Sequence, residues 1–162
     1  MFNPIDLNQQ KAEEWMKILI QRSKRAGGKG EIPVAAVILD SFGKCIGHGI
    51  NNRNKDHDPL GHAEIIAIRQ ASLIKNDWRL NDCTLIVTLE PCQMCTGAII
   101  QARLGQVIYG AFDEKRGCLG GTIDLSIHKS SHHKMIVKKG VLKEEISKEL
   151  KEWFKKKRNF IS

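Results

Sequence analysis

Two short segments of this chain carry the residue types and spacing of a metal-assisted hydrolytic site: His62-Ala63-Glu64 and Pro91-Cys92-Gln93-Met94-Cys95. An imidazole and two thiolates form a preferred zinc set, and three protein ligands leave the fourth tetrahedral position for water. Cys92 and Cys95 are three apart, so one helical turn brings both sulfurs to the same face. A helix beginning at Pro91 also offers its positive dipole end, which favours thiolate over thiol. His62 and Glu64 are two apart and would diverge in mid-helix. At a helix start, just after Pro59-Leu60-Gly61, both can be aimed at one site. His62 then binds the metal and Glu64 stays free as a proton carrier. Zinc lowers the pKa of bound water from about 15.7 to about 7. Glu64 would accept that proton, pass it to the substrate as the hydroxide attacks, and protonate the leaving group. A carboxylate is needed twice, so Gln should not replace it.

A purely structural zinc is the alternative for these residues. It would want a fourth protein ligand, for which Cys83, Cys118 and His57 are the candidates, and none has zinc-ligand spacing to the other three. Cys-x-x-Cys by itself also occurs in structural zinc knuckles and redox proteins.

The elements that must position these groups read as an alternating α/β chain. Residues 8 to 26 place Ala12, Trp15, Met16 and Leu19 on one helical stripe. Ile32 to Leu39 runs almost continuously apolar, as a strand buried on both faces does, with Pro33 tolerated only at its beginning. Asp40-Ser41-Phe42-Gly43 predicts a hairpin turn into a strand over 44–50. A polar loop, 51–61, precedes a helix over about 62–75 whose buried side is Ile65, Ile66, Ile68, Ala71 and Leu73. A strand over 83–89 ends at Glu90-Pro91, and Pro91 suits the first turn of a helix over about 92–103. Further strands are predicted at 106–110 and 135–137, with a glycine-broken loop from Asp113 to His132 between them. A last helix, about 143–158, puts Ile146, Leu150, Trp153 and Phe154 on one side and its lysines on the other. The fold class is therefore an α/β three-layer sandwich, α/β/α, around a mixed sheet of about five strands, with 1–162 as a single domain.

Composition fits that frame. In 162 residues, 41% hydrophobic and 27% charged is an ordinary globular balance, with no repeat, linker or low-complexity segment. The longest apolar run is too short to span a bilayer, and the first residues lack the pattern of a signal peptide, so a cytoplasmic location is expected. Five cysteines, an odd number, argue against a disulfide framework. Cys45 and Cys83, in apolar surroundings, read as core residues. Lys plus Arg exceed Asp plus Glu by 26 to 18, and Lys155-Lys156-Lys157-Arg158 closes the chain. That excess fits a polyanionic partner, most simply nucleic acid, or just a basic solvated surface.

Beside the two metal segments stand Pro33-Val34-Ala35-Ala36-Val37, Gly49-Ile50-Asn51, His57-Asp58-Pro59, Thr88-Leu89-Glu90, Gly110-Ala111-Phe112-Asp113, His133 and Gly140-Val141-Leu142. With them the chain resembles the bacterial tRNA-specific adenosine deaminase family, of the cytidine deaminase-like superfamily, from about residue 8 to about residue 158. The zinc signature belongs to the whole superfamily; Gly110-Ala111-Phe112-Asp113 and His133 are what point to tRNA. The resemblance implies hydrolytic deamination of adenosine to inosine at the wobble position of a tRNA anticodon. Its agent would be a zinc-bound hydroxide, one Zn2+ per subunit held by His62, Cys92 and Cys95, with Glu64 as proton shuttle. It implies a homodimer with the anticodon stem-loop as partner. Asn51, Ala63, Asp113, Lys115 and His133 would be the substrate-binding residues. For Asn51 the alternative is a turn residue beside Asn52 and Asn54, and for Asp113 a solvated loop carboxylate. The chain departs from the family pattern at Phe112, Gly120-Gly121, His132 and Trp153-Phe154, none of them at the zinc site. Two other functions stay open on the residues: a deaminase of a free base or nucleoside, and a non-catalytic, zinc-stabilised RNA-binding module.

Overall fold

The computed structural model describes residues 3–161. Five strands form one mixed sheet in the order β2-β1-β3-β4-β5. They are β1 (Ala35–Leu39), β2 (Cys45–Ile50), β3 (Thr84–Leu89), β4 (Gln106–Ala111) and β5 (Ile136–Lys138). β1 runs antiparallel to both its neighbours, while β3, β4 and β5 are parallel. Four helices flank the sheet: α1 (Gln9–Gly28), α2 (Ala63–Lys75), α3 (Gln93–Gln101) and α4 (Lys143–Ile161).

Strand alternation divides the core into two layers. Ala36, Ile38, Leu85, Val87, Val107 and Tyr109 point to one face, where Ala63, Ala67 and Ile99 of α2 and α3 meet them. Val37, Leu39, Ile86 and Ile108 point to the other, against Met16 and Leu19 of α1 and Ile146 of α4. The expected three-layer α/β/α sandwich with five strands is the fold observed. Among the described residues no helix is long and apolar enough to cross a membrane.

Local details differ from the periodicity in instructive ways. β1 starts at Ala35 rather than Ile32, because Val34 N–H donates to the Ile32 carbonyl at 2.8 Å in a tight turn through Pro33. Cys45 is exposed rather than core. The β1–β2 register slips next to Leu39, and this bulge breaks the alternation that would bury the residue. Phe154 is 41% exposed, packed edge-on against Trp153 at 5.0 Å instead of lying in the core beside Ile146.

The largest difference lies on α2. Its large apolar residues were expected inside, yet Leu73 is 81% exposed and the buried face is Ala63, Ala67 and Ala71. These small residues lie directly over glycines of β2. A Cβ on Gly47 would stand 2.4 Å from the Ala67 carbonyl oxygen, and one on Gly49 would stand 2.4 Å from that of Ala63. Helix and strand therefore touch backbone to backbone, which fixes the start of α2 against the end of β2. Gly49→Ala is expected to destabilise the protein by about 1–3 kcal/mol through overpacking. Gly28→Ala, where a Cβ meets nothing within 4 Å, is expected to be neutral or mildly stabilising. Urea midpoints of the two variants check this, and equal midpoints would refute the close-packing account.

Candidate metal centre and active site

β2 and β3 run in the same direction, with β1 antiparallel between them, so their C-terminal ends share one edge of the sheet. The helix after each strand starts at that edge. His62 is the N-cap residue of α2 and Cys92 the N-cap residue of α3, both in extended conformation, and neither side chain caps its own helix. Both are thus free to reach outward. Pro91 lies one residue before the cap, outside the helix it was expected to enter. Its carbonyl accepts the Cys118 N–H at 3.0 Å.

The loop before α2 is heavily tied. Leu60 N–H donates to Asp58 Oδ1 at 2.9 Å, Asn52 N–H to the Gly61 carbonyl at 3.0 Å, and His62 N–H to the Leu60 carbonyl at 2.7 Å. Asn51 supplies what His62 does not. Its Oδ1 accepts the N–H of Ala63, the first residue of α2, at 3.0 Å, satisfying one of the amides a helix start leaves open. Asn51 is therefore a helix-positioning residue in addition to any contact its amide NH2 makes.

His62 Nδ1 lies 3.7 Å from Cys92 Sγ and 3.4 Å from Cys95 Sγ, and the three ligand atoms fall within 4.8 Å of one another. Tetrahedral zinc with Zn–S bonds of about 2.3 Å and Zn–N bonds of about 2.0–2.1 Å sets an N···S spacing of about 3.6 Å. The donor set fits the ion both in chemistry and in spacing. Among the described residues, Cys83, Cys118 and His57 do not join the three, so the protein groups three donors here, the number that catalytic zinc sites use.

The protonation pattern supports the same assignment. Hydrogen bonds from the Cys95 thiol and from His62 hold the Cys92 thiol down at about 3, against the cost of burial. Cys95, the donor to that thiolate and itself buried, is held high, so without a metal the pair keeps one proton that a cation displaces. The same contact with Cys92 raises His62. Glu64 is only 4% exposed, and burial pushes its carboxyl up to about 6. It stands outside the ligand cluster while interacting with both His62 and Cys95. That is the position a proton carrier needs: dry, beside the ligands and not one of them.

The remaining expected substrate residues divide. Ala63 is fully buried between His62 and Glu64. Asp113 lies in the loop after β4, at the same sheet edge, where its Oδ1 accepts the N–H groups of Lys115 and Arg116 at 3.0 Å each. Lys115 is exposed in that turn. His133 is placed elsewhere. Its Nε2 bonds the Leu104 carbonyl at 2.6 Å, before the start of β4, which puts it the length of a strand, roughly 20 Å, from the metal edge.

Glu90 entered the sequence reading only as the end of β3 and within the Thr88-Leu89-Glu90 segment, with no role attached to it. It is 2% exposed, and its carboxylate accepts three backbone N–H groups: Asp113 at 3.0 Å, Leu119 at 3.0 Å and Gly121 at 2.7 Å. Gly117 and Gly121 make room for it, since a Cβ on either would stand within 2.5 Å of Glu90 Oε2. One side chain next to the metal-binding turn thus holds the whole loop that carries Asp113 and Lys115.

Residues 9–111 match the family model described as the cytidine and deoxycytidylate deaminase zinc-binding region. The tRNA-specific adenosine deaminase of Haemophilus influenzae is 40% identical over 90% of this chain and 84% of its own length. That of Bacillus subtilis is 39% identical over 90% of each. A solved structure from a study of A-to-I editing by tRNA:A34 deaminases at the wobble position superimposes with a TM-score of 0.73 at 34% identity, over 78% of this chain and 97% of that one. A guanine deaminase from Bacillus subtilis, at 31% identity over 91% and 93% of the two chains, has a TM-score of 0.59. The metal ligands, the buried Glu64 and these likenesses agree, and the chain belongs to the zinc-binding cytidine and deoxycytidylate deaminase family, among its tRNA-specific adenosine deaminases.

Proposed function

We propose that this protein hydrolytically deaminates adenosine to inosine at the wobble position of a tRNA anticodon. The observation that carries the reaction is a three-ligand cluster with a buried carboxylate beside it that ligates nothing. The extensive likeness to tRNA-specific adenosine deaminases supports the choice of substrate. His62, Cys92 and Cys95 would hold one zinc ion, which supplies a Lewis acid able to make water nucleophilic near neutral pH. Glu64 would accept the first proton of the attacking water and deliver it to a ring nitrogen of the adenine. It would then take the second proton, from the hydroxyl now on the amine-bearing carbon, and pass it to the amino group as the C–N bond breaks and ammonia leaves. Asn51 keeps Ala63 and Glu64 in place and has its amide NH2 left for the nucleoside. Asp113 and Lys115 would meet the anticodon from the loop Glu90 anchors. His133, a strand length away, would meet RNA away from the target base. A homodimer is part of the same reading, and the exposed Leu73, Ile74 and Trp78 offer an apolar surface for it. The target base must be splayed out to enter, which a single-stranded anticodon loop makes easier than a duplex.

The test is inosine formation in a tRNA transcript with adenosine at the wobble position, run beside ammonia release from free adenosine, cytidine and guanine. Inosine in the tRNA alone is the expected result. Turnover of free guanine without the tRNA reaction would keep the proton chemistry and remove the RNA substrate. Zinc bound with no turnover of any of them would leave a non-catalytic module.

A further inference from the structure

A groove of ≈ 390 Å³ opens beside Asn51 and runs down the outer edge of β2, between the end of α1 and α2. Its floor is apolar, at Ile50 and Ile66, and its walls carry Arg22, Lys29, Lys55 and His48. Arg22 is held against His48, with its Nη2 2.8 Å from the ring Nδ1. A guanidinium has only donors, so Nδ1 is the acceptor and the proton of the neutral ring sits on Nε2. Burial and the neighbouring Arg22 both hold His48 below its ordinary pKa, which keeps it in that neutral form. The backbone N–H of His48 is fixed by Gln70 Oε1 at 2.7 Å.

This arrangement leaves donors over. Arg22 makes one bond through Nη2, while its Nε is buried with no partner. An unpaired buried donor is costly unless a ligand satisfies it. The one acid on the wall, Glu31, has Oε1 occupied by the N–H groups of Asn54 and Lys55 at 2.8 and 3.0 Å. The basic end of α4 adjoins the same rim: Trp153 Nε1 donates to the Gly27 carbonyl at 3.0 Å, and the Lys157 ammonium lies against Gly30. An anion with several acceptor oxygens fits such a set, and Asn51 joins the groove directly to the metal centre.

We propose that this groove binds a backbone phosphate of the RNA, that of a nucleotide adjoining the target adenosine, through Arg22 and His48, with Lys29 and Lys55 on its rim. The proposal rests on the tRNA reading above. A phosphodiester presents two charged oxygens to a planar donor fork, and the apolar floor takes the sugar of the same nucleotide. A chain threaded through the active site is then held on the β2 side as well as by the loop after β4.

The experiment measures binding of a fluorescent anticodon hairpin to the zinc-loaded protein while single linkages in the loop are replaced, one at a time, by uncharged methylphosphonates. Arg22→Ala is expected to weaken binding about 5- to 10-fold, with Arg22→Lys recovering part of the loss. At one linkage next to the target, wild type should lose a similar factor and Arg22→Ala should lose nothing further. Lys29→Ala with Lys55→Ala, both on the surface, should lower the slope of log affinity against log salt by about 0.7 per cation. Losses that multiply at every linkage, or variants that bind as wild type, would overturn the proposal. So would inorganic phosphate protecting the groove with no linkage coupled to Arg22, which would assign it to a small anion. Inosine is scored in the same hairpin. Linkage coupling without inosine would refute the wobble reading and leave the groove; inosine without coupling would do the reverse.

Discussion

Replacing Glu64 by Gln is expected to lower kcat on wobble adenosine by about 10³- to 10⁴-fold, the upper range for a group that moves protons in more than one step. Zinc content should stay at one per subunit, because His62, Cys92 and Cys95 are the ligands and Glu64 is outside their cluster. The amide keeps the shape of the carboxyl and loses the ability to accept the proton. A second effect separates chemistry from packing. Burial raises the Glu64 carboxyl from 4.5 to about 6 in the metal-free site, so the folded protein there prefers the protonated form. A raised pKa gives stability that is complete below about pH 4.5 and lost as pH climbs through about 6. By pH 7 the ionised group costs the metal-free protein about 2 kcal/mol. Glu64→Gln should remove that loss, raising Tm of the metal-free protein at pH 7 and not at pH 4. Retained turnover would end the proton-carrier role. A Tm gain equal at both pH values would show that burial of the charge is not the cause.

Such a trade of stability for chemistry was legible in the sequence only in part. The metal ligands could be read because the chemistry demands both type and spacing, and a helix start is the one place where His62 and Glu64 converge. The sheet could be read because its central strands are buried on both faces and so run continuously apolar. α2 misled for a physical reason. Periodicity weighs large side chains, but this helix packs through Ala63, Ala67 and Ala71 onto the glycines of β2, leaving Leu73 and Ile74 to the surface. Cys45 misled because a one-residue bulge turns a strand's faces over. The Gly49-Ile50-Asn51 segment marked Asn51 as a candidate, while its bond to Ala63 depends on where the end of β2 and the start of α2 meet in space. Asp113 looked like a solvated or substrate-facing carboxylate. In the fold it closes its own turn, and the group that secures the loop lies 23 residues away in sequence.

That group, Glu90, is where the other large effect is expected. Glu90→Ala would leave the N–H groups of Asp113, Leu119 and Gly121 without their acceptor, at about 1–3 kcal/mol for each buried donor. Part of the loop would open, and global stability should fall by about 3 kcal/mol or more. Glu90→Gln is the more informative change. Its remaining oxygen can still accept from Leu119 and Gly121, which share Oε1. Its new NH2 must then face the Asp113 N–H, donor against donor. The Asp113–Arg116 turn should loosen while the rest of the loop stays. On the proposal that Asp113 and Lys115 meet the anticodon rather than the metal, KM for the tRNA should rise about tenfold or more. Zinc stoichiometry should be unchanged, and kcat should fall less than KM rises. Hydrogen exchange should quicken at Asp113 and remain slow at Leu119. A matched fall in zinc content and kcat would instead tie Glu90 to the Cys92 turn it adjoins. No change in either constant would mean that the loop after β4 does not meet the RNA, and that the substrate is held from the β2 side alone.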